Sequence, residues 1–442
     1  MPSTALGRVP AGMLLRASRS SLRRTLYGSF PTLKSIYAGP FVRTIHAAAS
    51  STTFYDESVA HFAERDIKPV TLRTLMERGK PPLSEQELIA SANFTFSELP
   101  SRLARRVKAF QKLPFIVGTN PYIRDVHDTY YESFLKLRDL PVIRDINQDE
   151  EYTELLMALV ERHTPNIPKL ARGFKECAEY ITPQEVAMFF DDMIQSRIGI
   201  RLIAEHHLAL HAAKPDYIGV VHTQLRPAAL VNSCANAVHE LCELNYGTAP
   251  GYIVDGATSA HFQYVPVHLE YILHELLKNA YRATVEHARA EGRSDAEENL
   301  PPISITISQG DGEVGIRIRD QGGGIPAIVR DEIFSYSFTT VKDGFDEGRV
   351  DDVDIPLDQG SSGIQGKPVS SDPNNDNIFS PQARLSMQMG VGGPMAGLGF
   401  GLPMARIYAR SFGGHLDLIS LPAHGCDVFL SLPDIGNQDV PI

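Results

Sequence analysis

Residues 270–287 read Glu-Tyr-Ile-Leu-His-Glu-Leu-Leu-Lys-Asn-Ala-Tyr-Arg-Ala-Thr-Val-Glu-His, and the reading of the whole chain turns on them. Leu, Ala, Glu, Lys and Arg dominate and neither Gly nor Pro interrupts, so the stretch predicts a helix. At about 100° per residue, Glu275, Asn279 and Arg282 fall in one narrow stripe. Ile272, Leu276, Ala280 and Ala283 form the adjoining apolar stripe. An asparagine in mid-helix is unfavourable, because its side chain competes for backbone hydrogen bonds. Here it stands one turn after a carboxylate and one turn before a guanidinium. Those groups can activate a hydroxyl, hold a hard cation and bind a phosphate. They are also what a plain solvated helix face carries, so the rest of the chain must decide.

Two later stretches bear on that helix. Asp320-Gln321-Gly322-Gly323-Gly324-Ile325-Pro326 ends a strand in an acid followed by three glycines. Glycines let a ligand approach the backbone, and a fixed acid can accept a hydrogen bond from an exocyclic amine such as that of adenine. Gly397-Leu398-Gly399-Phe400-Gly401-Leu402-Pro403 opens a helix, whose first N–H groups form a ready phosphate site. Either stretch alone marks no more than a tight turn. Their order and spacing after the Glu/Asn/Arg helix are far more specific.

Around this constellation the chain divides by texture. Helix-period patterns run over Leu99–Lys112, Ile123–Arg138, Tyr152–His163, Lys169–Tyr180 and Gln184–His211, broken by short Pro-bearing connections. Thr182-Pro183-Gln184-Glu185 is a capped helix start. Such helices predict an antiparallel bundle over residues 55–214. From about Pro215 the pattern mixes elements. Tyr217–Val221 and Gly251–Val254 read as strands around a helix at Ala228–Asn245. Ile303–Ser308 and Val314–Asp320 alternate as half-buried strands, Phe400–Ser411 is helical, and His415–Ser420 and Asp427–Leu432 close the chain. This predicts an α/β sandwich over residues 215–435, and an α+β protein as a whole. Residues 341–396 are rich in Gly, Pro, Ser, Asp and Asn without periodicity, as a long lid over the site would be.

Composition excludes several classes. The 442 residues are 43% hydrophobic and 21% charged, and no apolar run approaches the roughly 20 residues that span a bilayer. A net charge of −11 argues against nucleic-acid binding through a basic surface. Cys177, Cys234, Cys242 and Cys426 form no CxxC pair and predict reduced thiols. Residues 1–55 hold six Arg, one Lys and no acid, with abundant Ser, Ala and Leu. That composition predicts a mitochondrial transit peptide over residues 1–50, and so a matrix protein. His206, His207 and His211 interrupt the last bundle helix, but no acid or Cys stands at ligand spacing, so they read as core or exposed histidines rather than a metal site.

Together the acid/amide helix, the Asp-Gly turn and the glycine-opened helix resemble the N-box and two glycine boxes of the GHKL ATP-binding fold. Within that superfamily the chain resembles the mitochondrial 2-oxo acid dehydrogenase kinases, the pyruvate and branched-chain enzymes. The resemblance runs from about Phe54 to Leu432. It takes in Glu-Leu-Leu-Lys-Asn-Ala-Tyr-Arg-Ala-Thr (275–284), Phe338-Thr339-Thr340, and the bundle phrases Leu113-Pro114-Phe115-Ile116-Val117-Gly118 and Ser196-Arg197-Ile198-Gly199-Ile200-Arg201. It implies an ATP-dependent serine kinase that phosphorylates and inactivates the E1α subunit of a 2-oxo acid dehydrogenase complex.

Carried over residue by residue, Glu275 is the implied catalytic residue, orienting and deprotonating the acceptor serine. Asn279 would ligate Mg²⁺, and Asp320 would read the adenine amine with Gly322, Gly324 and Ile325 beside it. Arg282, Thr339 and Thr340 would meet phosphate or lid. Gly397, Leu398, Gly399, Phe400, Gly401 and Leu402 would wrap the phosphates. The implied cofactors are ATP and Mg²⁺, with K⁺ as a further candidate. A homodimer and docking on the E2 lipoyl domain are implied partners, as is an inhibitor pocket between bundle helices.

The sequence departs from the family at Gly425-Cys426-Asp427, where a Thr usually stands in place of Cys426, in a longer lid insert (342–380), and in having no tryptophan. Phe-Thr-Thr and Gly-Phe-Gly lean towards the branched-chain type. The alternatives are a histidine kinase, with His274, His206 or His207 as acceptor, and an ATP-gated chaperone.

Overall fold

The structure, a computed structural model, describes residues 56–336 apart from 68, 213, 293–299 and 311, together with residues 399–435. The transit-peptide and lid expectations fall outside the described residues.

The N-terminal part is helical: α1 (Glu57–Glu64), α2 (Leu72–Arg78), α3 (Glu85–Gln111), α4 (Phe115–Gly118), α5 (Pro121–Arg138), α6 (Ile146–Arg162), α7 (Asn166–Glu176) and α8 (Pro183–His211). Helix α3 is the axis of this bundle, packing against α1, α5, α6 and α8. The start of α8 is the expected one. Thr182 Oγ1 accepts from Glu185 N–H, and the Glu185 carboxylate accepts from Thr182 N–H, a reciprocal capping box. Helix α3 begins at Glu85 rather than near the expected Leu99. Ser84 and Glu87 form the same box there, and the helix runs on through Pro100.

The C-terminal part contains β1 (Tyr217–Ile218), β2 (Val221–Leu225), α9 (Pro227–Tyr246), β3 (Tyr252–Gly256), β4 (Phe262–Tyr264), α10 (Pro266–Ala290), β5 (Ile303–Gly310), β6 (Glu313–Arg319), a 3₁₀ turn at Ala327–Glu332, α11 (Gly401–Ser411), β7 (His415–Leu421) and β8 (Gly425–Pro433). The strand expected over Tyr217–Val221 is in fact a hairpin. Gly219 turns the chain between β1 and β2 with φ +55°, over the ring of His206. β4 joins that hairpin as a small antiparallel sheet.

The main sheet has the order β3-β5-β6-β8-β7, with β3 parallel to β5 and the other pairs antiparallel. Register aligns Val254, Ile305, Ile318, Val428 and Leu418 in one rung across it. These side chains lie on the face that α9, α10 and α11 cover. Burying each large aliphatic contributes about 1.5–3 kcal/mol, which is what binds the helix layer to the sheet. The next rung, Ile253, Ser304, Arg319, Asp427 and Ile419, faces the other way. There Arg319 donates to both Asp427 oxygens at 2.7 and 2.6 Å.

Helix α10 is the expected one, lengthened at both ends. Pro266 occupies its first turn, where the missing N–H costs nothing. Ile272, Leu276 and Ala280 are buried as their stripe predicts, whereas Ala283 is only partly covered, beneath Gly322. Helix α8 packs against both α6 and α11, so the bundle reaches the α/β layer at the glycine-opened helix.

Candidate active site

Helix α10, the turn after β6 and the start of α11 enclose a cavity of about 440 Å³. From α10 come Glu275, Asn279 and Arg282, all three members of the polar stripe. The turn supplies Asp320, Gly322, Gly324 and Ile325, and α11 supplies Gly399, Gly401 and Leu402. Three stretches spread over more than a hundred residues of chain thus share one wall. Thr339, Thr340, Gly397 and Leu398 lie outside the described residues.

Phe400 is not part of that wall. It is 2% exposed and its ring points to the bundle, meeting Phe190 of α8 edge-on at 4.8 Å and Tyr336 at 5.4 Å. The reason is apolar burial: Phe190 and Tyr336 stack at 5.1 Å, and the Tyr336 hydroxyl donates to Asp191 at 2.6 Å. The Phe400 side chain thus anchors the glycine turn onto α8.

At one end of the cavity stands Asp320, 6% exposed. Its Oδ1 accepts from the N–H of Gly322 at 2.8 Å and of Cys426 at 3.1 Å. Burial raises its pKa, and those two N–H groups oppose the rise. Cys426, in place of the family's threonine, lines the cavity, and its thiol is pushed up to about 11, first by burial and then by the Asp320 charge. What Cys426 offers Asp320 is a backbone N–H, which any non-proline residue supplies. Gly324 has φ +75° and passes directly over the Leu421 carbonyl, so a side chain is excluded twice. Ser420 pins the same turn, accepting from Ile325 N–H at 2.6 Å and donating to the Ile325 carbonyl at 3.2 Å. Leu276, Ala280, Leu418 and Val428 give this end an apolar lining.

At the other end, Glu275 is 13% exposed and its Oε1 lies 2.6 Å from Lys278 Nζ. Gly401 abuts the Glu275 carboxylate so closely that a Cβ there would collide with it. The first turn of α11 has no side-chain cap, leaving its N–H groups to a ligand. An apolar slot with one buried acid, opening onto a carboxylate, a lysine and an uncapped helix start, suits a planar aminated base with phosphates attached.

Lys278 and Ser420 are the residues that sequence reading missed. Lys278 was open to discovery, standing three residues after Glu275 on the same helix face. Ser420 carries no local signal, because its partner Ile325 is 95 positions away.

A covered sheet, a helix-walled cleft, an Asp-Gly turn and a glycine helix start define an ATP-binding domain of the kind shared by histidine kinases, DNA gyrase B and Hsp90. Residues 264–435 match the family described as histidine kinase-, DNA gyrase B- and HSP90-like ATPase. Residues 69–222 match the family described as mitochondrial branched-chain alpha-ketoacid dehydrogenase kinase. A pyruvate dehydrogenase (acetyl-transferring) kinase, mitochondrial, of Arabidopsis thaliana is 33% identical over 378 residues, covering 84% of this chain and 92% of that protein. Isozyme 4 of the kinase so named is 27% identical in Rhinolophus ferrumequinum and 26% in Homo sapiens, each over 91% of this chain and 90% of the relative. The chain belongs to the mitochondrial 2-oxo acid dehydrogenase kinase family, and it is a mitochondrial, ATP-using kinase.

Proposed function

We propose that the protein phosphorylates a serine of the E1α subunit of the pyruvate dehydrogenase complex in the mitochondrial matrix, and thereby inactivates it. The observation that carries this reading is the contact of Glu275 with Gly401 in the cleft that also holds Asp320. It sets an ionisable carboxylate at the phosphate end of an adenine-type slot. Glu275 takes the acceptor proton, with Lys278 holding its orientation through the 2.6 Å ion pair. The Asn279 amide oxygen, exposed on α10, suits a hard cation, and with the neighbouring carboxylate it fits Mg²⁺. When bound, Mg²⁺ neutralises phosphate charge. Arg282 and the α11 N–H groups orient the phosphates, and Asp320 accepts the adenine amine.

The rest of the molecule supports an assembly around this chemistry. Residues 55–214 form the docking bundle for the E2 lipoyl domain, and residues 215–435 the kinase domain. At the β7–β8 edge the outward sheet face exposes Ile419 (53%) and Phe429 (39%), an apolar patch suited to a homodimer. Between α3, α5, α6 and α8 lies a cavity of about 30 Å³ lined by Tyr130, Ser133, His163, Arg197 and Arg201. Arg197 is buried, Arg201 Nη1 lacks a partner, and we assign this cavity to a small anionic effector.

The test is to incubate the chain with Mg-ATP and, in parallel, the purified pyruvate and branched-chain dehydrogenase complexes. We expect acid-stable label on E1α of the pyruvate complex and none with Glu275→Gln. Label on the branched-chain E1α alone would move the assignment to the second reading, which the match of residues 69–222 favours. Label on neither, or acid-labile label on the chain itself, would refute the serine-kinase reading.

A further inference from the structure

Away from the nucleotide cleft, α6 and α8 bring three ligand-type side chains to one point. His207 and His211 stand four residues apart on α8, so both rings lie on one face. Asp149 comes from the first turn of α6. Nε2 of His207 is 3.6 Å from Asp149 Oδ1, and Nε2 of His211 is 3.2 Å from Asp149 Oδ2. Thr153, one turn further along α6, places its hydroxyl 3.3 Å from both nitrogens. The acid that was missing at sequence spacing is supplied by another helix. His206 has no share in this cluster; it is buried beneath Gly79 and Gly219.

Two further observations set the cluster apart from an ordinary polar contact. Asp149 is fully buried and neither of its carboxylate oxygens has a hydrogen-bond partner, an unfavourable state for a charge taken out of water. His207 Nδ1 lies 3.1 Å from Ser91 Oγ on α3. A cation on Nε2 leaves the ring proton on Nδ1, where it donates to that hydroxyl, the usual outer support of a ligating histidine.

We propose that Asp149, His207 and His211 bind a divalent first-row transition cation, Zn²⁺ foremost, and so clamp α6 to α8. Ligand atoms about 2.0–2.2 Å from a tetrahedral Zn²⁺ stand roughly 3.3–3.6 Å from one another; the His207–Asp149 separation of 3.6 Å falls in that range and the His211–Asp149 separation of 3.2 Å lies just below it, each histidine facing its own carboxylate oxygen. Water or the Thr153 hydroxyl takes the fourth position. The His211 side chain, 22% exposed, lies on the path from solvent, while Asp149 and His207 are sealed. Two imidazoles and one carboxylate suit Zn²⁺ and disfavour Mg²⁺, which asks for six oxygens, so this site does not compete with the nucleotide cleft for its cation.

The experiment uses the full chain, stripped with chelator and titrated with Zn²⁺ without nucleotide, by calorimetry and thermal melting. The expected result is one equivalent bound, a rise in melting temperature of several degrees that Mg²⁺ does not produce, and at least 100-fold weaker binding in His211→Ala and Asp149→Asn. Co²⁺ in the same site should give tetrahedral absorption without a thiolate charge-transfer band. His211, the most exposed member, tests the site without disturbing the core, and the metal-free melting of each variant checks that it folds. No Zn²⁺ equivalent on the wild-type chain, equal binding by wild type and His211→Ala, or a thiolate band with Co²⁺ would each overturn the proposal.

Discussion

Replacing Asp320 by Asn should break nucleotide binding while leaving the fold in place, and the hydrogen bonds say by how much. Asp320 Oδ1 is occupied by the N–H groups of Gly322 and Cys426, so the other oxygen is the one left for a ligand. An amine donating to a carboxylate is worth about 1.5–3 kcal/mol. Asn that keeps its oxygen towards the two N–H groups turns an NH₂ to the incoming amine, donor against donor. Flipped, it sets that NH₂ against Gly322 and Cys426 instead. Either arrangement loses the bond and leaves buried donors unmet, roughly 3 kcal/mol in all, or about a 150-fold rise in Kd for ATP. Calorimetric titration measures it, with purine riboside triphosphate, which lacks the amine, as the comparison ligand. The wild-type preference for ATP over that analogue should collapse in Asp320→Asn, and melting temperature should move by only a few degrees. An unchanged Kd, or weakened binding with the preference intact, would refute the assignment of Asp320 to the amine.

Other substitutions probe the remaining walls. Gly401→Ala drives a Cβ into the Glu275 carboxylate, so the phosphorylation rate in single turnover should drop roughly 100-fold from misplaced groups, with ADP affinity much less affected. Phe190→Ala removes the ring on which both Tyr336 and Phe400 rest; it should lower stability to urea by about 3–5 kcal/mol and raise KM for ATP. Stability should also fall on the acid side of neutrality. Burial holds the rings of His163 and His268 down to about 3, against 6.5 when exposed. The unfolded chain therefore takes up protons below about pH 6.5 that the native chain refuses, and native stability is lost as pH falls from there towards 3. The slope is up to about 1.4 kcal/mol per pH unit for each ring, read as melting temperature against pH, and His268→Gln should flatten it.

The parts of this architecture that were legible in the sequence are those whose physics is local. Thr182 and Glu185 cap α8 within four residues, and the apolar period of α10 needs no knowledge of what covers it. The glycines after Asp320 and before α11 were legible for the same reason, since close backbone approach writes itself into residue type. Where the deciding contact is distant, the same rules mislead. The helix expected over Leu99–Lys112 in fact begins at Glu85, because α3 is held by other helices along its length and carries Pro100 inside it. Phe400 sits among nucleotide-site glycines, yet Phe190, more than two hundred residues earlier, decides where its ring goes. The histidines of α8 show the effect most sharply. On their own helix no acid stands at ligand spacing, and a metal was set aside for sound local reasons; helix packing then delivered a fully buried Asp149 between them. A carboxylate in that state costs several kcal/mol unless something positive reaches it. Zinc-dependent melting of the full chain therefore asks a question that no local motif posed.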